Sequence, residues 1–163
     1  LRDYTDACFR YLRYTGLVSI AHKSRTISIF EDNNESGFSC QPKQKKVFIP
    51  YYYDNECDTD LMKWFRKHRY KKDFDTITLS ILHDIGHCET YTHELQYDEF
   101  LRHMQLATDK RFTKLPIEEQ NRIYWDIPFE TAANEWAIKF CNTHSAIVQK
   151  LEDIIAETIK ILN

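Results

Sequence analysis

Two histidines four positions apart, His83 and His87, close the apolar run Thr76-Ile77-Thr78-Leu79-Ser80-Ile81-Leu82 and so restrict how that run can be buried. On an α-helix this spacing stacks both imidazoles on one face, one turn above the other. Ile81, Leu82 and Ile85 flank the pair and call for an interior position, where an imidazole needs a partner. Two nitrogen donors held in this way can close on one zinc ion, and a hydrogen-bonded core pair is the plainer alternative. Gly86 precedes the second histidine, and so small a residue lets a neighbouring element come close.

The 163 residues suit a single domain spanning 1–163, large enough to bury a core. A hydrophobic content of 42%, with 14% aromatic residues and only three glycines, excludes a disordered or low-complexity chain. The formal charge of −3 gives no global field for a polyanion, so there is no strong nucleic-acid signal. The basic stretches Lys43-Gln44-Lys45-Lys46 and Arg66-Lys67-His68-Arg69-Tyr70-Lys71-Lys72 read as solvated faces. Five scattered cysteines, none spaced as C-x-x-C, argue against a disulfide framework or a cysteine zinc knuckle and fit reduced thiols in the cytoplasm. No apolar run reaches the length of a membrane span.

Taken in order, Asp3 to Tyr14 carries the stripe of an amphipathic helix. Leu17–Ile20 and Thr26–Phe30 read as strands of a hairpin. A helix followed by a hairpin also occurs in winged-helix DNA readers, but the chain has no basic recognition helix. Glu31 to Lys46 is polar and reads as a mobile loop. Val47 to Tyr53 reads as an aromatic strand confined to a sheet edge by Pro50, where an extended peptide can pair with it. Helices are expected over Asp58–Tyr70, Phe74–Cys88, Leu95–Thr108, between Pro116 and Pro128, and onward from Phe129. A last helix, Ser145 to Leu162, is apolar enough to cover the core or to serve a protein partner.

Catalytic zinc needs a third protein ligand and an open position. Glu130-Thr131-Ala132-Ala133-Asn134-Glu135-Trp136-Ala137 can supply the ligand, since Glu130 lies one helical turn before Ala133 and Asn134. The small Ala133 allows tight packing, and Asn134 can brace a histidine. Together the two segments resemble the gluzincin arrangement, H-E-x-x-H followed on a later helix by E-x-x-A-[ND]-x-[FW]-A. They are similar to small bacterial and phage metallopeptidase-like proteins of the ImmA/IrrE type, a resemblance that covers roughly the second half of the chain. The resemblance implies an α+β, zincin-like fold, mostly helical, with a small antiparallel sheet beside the metal helix. It also implies zinc on His83, His87 and Glu130, a protein or peptide substrate, and a phage or mobile-element origin.

Asp84 stands where that pattern has glutamate, the base that takes a proton from water and passes it to the leaving amine. The expectation is therefore a zinc metallopeptidase with Asp84 as general base. Its competitor is a catalytically impaired relic of the fold that binds another macromolecule through an edge strand or the final helix. Two rivals use the same residues. His93, six beyond His87, matches metzincin spacing, although Thr90 occupies the place of the turning glycine. The run Leu82-His83-Asp84-Ile85-Gly86-His87 also resembles HD-domain phosphohydrolases, which need an earlier histidine and a later aspartate from other helices.

Overall fold

The computed structural model describes residues 28–32, 38–50, 76–150 and 152–153. Helix α1 spans Thr76–Thr90, and its residues 78–88 are buried at every position. That explains why its sequence is apolar nearly all round rather than striped. Leu79, Ile81, Leu82 and Ile85 are at most 1% exposed, and each such side chain contributes about 1.5–3 kcal/mol of transfer free energy.

Thr90 ends α1 by donating its hydroxyl to the Gly86 carbonyl, after which Tyr91 and Thr92 leave the helix. Thr92 caps α2, His93–Thr108, by accepting the Leu95 amide, and Glu94 sits in the first turn where the helix dipole favours it. A 3-10 turn at Phe112–Lys114 leads to α3, Ile117–Trp125, entered through Pro116 with Glu118 and Glu119 in its first turn. Asp126 and Ile127 then turn the chain into α4, Pro128–Thr143, which carries proline at its first position.

The main helix contact is α1 against α4. It closes at Gly86, where an added Cβ would stand 2.5 Å from the Ala133 carbonyl oxygen, so only glycine allows this approach. Phe129, Ala133, Ala137, Phe140 and Cys141 of α4 complete the core with Ile127 and Val148.

Strands β1 (Ser28–Asp32), β2 (Ser39–Gln41) and β3 (Lys46–Pro50) form a sheet in the order β1-β3-β2. Strands β2 and β3 lie against α1, with Val47 fully buried and the Cys88 thiol 3.7 Å from the Lys46 carbonyl. The architecture is α+β and mostly helical, with the small sheet beside α1. The sheet departs from the expected antiparallel form: β2 pairs antiparallel with β3, but β1 pairs parallel with it, Ser28 opposite Lys46 through Asp32 opposite Pro50. Strand β1 therefore reaches β3 across the chain, since a parallel pair needs a long connection.

Two further expectations are corrected. Strand β3 is central rather than at an edge, because Pro50 is its last residue and its missing N–H interrupts no later rung. The polar stretch expected as a loop contains β2 and a 3-10 turn, Pro42–Gln44, closed by Lys45 in the left-handed region at φ 56°. Residues 145–150 continue as helix after His144. The expected helices at Asp3–Tyr14 and Asp58–Tyr70, the strand at Leu17–Ile20 and the end of the last helix lie outside the described residues. No described helix is long and apolar enough to cross a membrane.

Candidate metal centre

The crossing of α1 and α4 brings three side chains to one point. His83 Nε2 and His87 Nε2 are 3.0 Å apart, and Glu130 Oε2 lies 3.1 Å from the first and 3.3 Å from the second. Three ligand atoms around a tetrahedral ion at about 2.0–2.1 Å are separated by roughly 3.3–3.4 Å, close to the triangle seen here. Glu130 Oε2 is buried and makes no hydrogen bond of acceptable geometry despite those two short approaches. The two Nε2 atoms are also within hydrogen-bond distance of each other, so either a shared proton or a cation at the centre can hold this cluster together. Asp84 stands beside them: a carboxylate oxygen and the ring nitrogens of His83 and His87 lie within 4.8 Å of one another, a buried group that can hold a metal ion.

Each member is held from behind. His83 Nδ1–H donates to Asn134 Oδ1 at 2.8 Å, so that the ring, when neutral, presents its Nε2 lone pair to the centre. Tyr124 donates its hydroxyl to Glu130 Oε1 at 2.7 Å, which leaves Oε2 for the centre. Glu130 occupies the first turn of α4, where backbone N–H groups favour an anion. The His87 ring stacks on Phe129 at 4.2 Å, and Trp125 stands edge-on to His83 at 5.5 Å.

Electrostatics point the same way. Burial raises the Glu130 pKa, but the two imidazoles outweigh it and hold the carboxyl well below the usual carboxylate range. Burial lowers His83, yet Glu130 and Asp84 outweigh it and raise this imidazole above its ordinary value. Burial keeps His87 below its ordinary value. One anion facing two imidazoles favours a single positive charge among them.

The structure thus brings together His83, His87 and Glu130, with Asp84 adjacent. His93 is not among them: it is exposed at the start of α2, 3.1 Å from the Tyr91 hydroxyl. Thr90 remains helical, so the chain does not fold back to return His93 to the pair. The aspartates an HD-type site would draw on point elsewhere, since Asp109 pairs with Arg111 and Asp126 is exposed. Of the residue types that could stabilise an oxyanion, Tyr124 is engaged with Glu130, and His144 packs on Phe140 at 4.6 Å. Sequence reasoning missed Tyr124 as the brace of Glu130. The signal was the short turn between Trp125 and Pro128, which folds α3 back beside the start of α4. No family model, curated protein or solved structure matches the chain.

Proposed function

We propose that the chain is a zinc-dependent peptide hydrolase of the zincin-like, gluzincin type, with zinc on His83, His87 and Glu130 and Asp84 as general base. The observation that carries this reading is the triangle of two Nε2 atoms and Glu130 Oε2, with edges of 3.0, 3.1 and 3.3 Å. The donor set fits: two neutral imidazoles and one carboxylate make a three-ligand site of the catalytic kind, which keeps a position open. When bound, zinc supplies Lewis-acid polarisation of the scissile carbonyl and acidifies water. Asp84 accepts the proton from the attacking water and returns it to the departing amine. Asn134 and Tyr124 keep His83 and Glu130 in register for this. Trp125 and Phe129 pack against the two rings and exclude bulk water.

One observation favours a second reading. Asp84 is buried with a carboxylate oxygen within 4.8 Å of a ring nitrogen of each histidine, close enough for a small adjustment to bring it onto the same ion. As a fourth ligand it would close the open position and leave a structural metal site on a catalytically impaired relic. Metal analysis of the purified chain tests both. About one zinc per chain is expected, lost in Glu130→Gln and His83→Ala and retained in Asp84→Asn. Zinc retained in Glu130→Gln refutes the ligand set, and zinc lost in Asp84→Asn favours the relic.

A further inference from the structure

An open depression of about 600 Å³ lies along α2, lined among the described residues by His93, Gln96, Tyr97, Glu99, Phe100 and His103. These positions recur at three and four residues, so they form one face of the helix. The depression lies next to the metal centre. The His103 ring is edge-on to Tyr124 at 5.7 Å, and the Tyr124 hydroxyl holds Glu130. Tyr97 and Phe100, 63% and 58% exposed, put two aromatic rings on its walls.

Glu99 is the charged group in this lining. Its side chain is 23% exposed, and among the described residues His103 Nε2 stands 3.6 Å from its carboxylate, beyond hydrogen-bond range. No lysine or arginine is among the described lining residues. Burial first, and the charge of Glu130 second, push this carboxyl up to about 7. A half-buried carboxylate with aromatic faces beside it and, among the described residues, no lysine or arginine against it is complementary to a cation, which gains both an ion pair and contact with the ring faces. An acidic guest would meet Glu99 and the field of Glu130, and an apolar one would bury the carboxylate further without a partner.

We infer that this depression receives a lysine or arginine side chain of the peptide substrate, and that Glu99 determines that specificity. The inference rests on the hydrolase reading for the word substrate, but binding can be measured without turnover. The zinc-loaded full chain is titrated, by fluorescence anisotropy, into labelled pentapeptides of four alanines around a central lysine, norleucine or glutamate. Cleavage of the same peptides is followed separately. The lysine peptide should bind at least tenfold tighter than the norleucine peptide. Glu99→Gln should erase that preference while leaving norleucine binding within twofold, and Glu99→Lys should transfer the preference to the glutamate peptide. Equal binding of lysine and norleucine peptides to the wild type, or a lysine preference that survives in Glu99→Gln, overturns the inference. A lysine preference without cleavage of any peptide upholds the binding site and removes the hydrolase; cleavage without preference does the reverse.

Discussion

Asp84 differs from glutamate by one methylene, which shortens the reach of its carboxylate by about 1.5 Å. Its burial at 6% exposure beside both histidines makes that difference consequential, because an enclosed side chain cannot swing outward to make up the reach. Misplacement of a proton acceptor on the order of 1 Å costs about a hundredfold in rate. Asp84→Asn should therefore abolish peptide cleavage with zinc still bound. Asp84→Glu should raise kcat, by up to about a hundredfold if reach is the limiting factor. Turnover assays on metal-loaded variants decide this, and undiminished cleavage by Asp84→Asn would remove the residue from the mechanism. The histidine pair was legible because helical spacing places both rings on one face, whereas Glu130 was reached through the resemblance of its segment to a ligand motif on a later helix. Tyr124 was not legible, since its role depends on where a turn sends it, and spacing along the chain does not carry that information.

Between elements, the decisive contact is α1 against α4 at Gly86. Glu130 and Asn134 both lie within one turn of Ala133, so the distance between helix axes at Gly86 sets the distance from the carboxylate to the imidazoles. A methyl group at Gly86 meets backbone, which cannot swing aside. Overpacking of this kind costs about 1–3 kcal/mol, against roughly 1 kcal/mol gained in helix propensity. Gly86→Ala should lower stability in urea by about 1–2 kcal/mol, and Gly86→Val by more. Both should weaken zinc at least tenfold in a competition titration. A Gly86→Ala protein as stable and as metal-avid as the wild type would show that the helices have slack there. The same contact shows what the sequence carries and what it hides. Gly86 and Ala133 announced a close approach by size alone, and Pro116 and Pro128 marked the ends of α3 and its neighbour. The sheet was harder to read. Pro50 suggested an edge strand, yet its place at the strand's end lets β3 run centrally, and the parallel pairing of β1 reflects a long-range choice that local alternation does not encode.

At the scale of the whole molecule, the candidate metal centre lies between the two helices that form most of the described core, so a metal bound there would couple to folding. His83 and His87 come from α1 and Glu130 from α4, and in an unfolded chain the 42 residues between His87 and Glu130 leave them uncorrelated. A ligand bound only by the native state stabilises it by about 4 kcal/mol at a thousandfold excess over its Kd. In a domain of this length each kcal/mol moves Tm by about 2–4 °C. Removal of zinc by a chelator should thus lower Tm by on the order of 10 °C, reversibly on adding zinc back. Glu130→Gln should melt near the chelated wild type and ignore the chelator, because its site already lacks the carboxylate. The two measurements separate a metal effect from simple damage to the core. A wild-type Tm indifferent to chelator, with zinc verified as removed, would mean that the two helices hold together by Leu82, Ile85, Ala133 and Ala137 alone. In that case the polar cluster between them would have to be retained for chemistry rather than for stability.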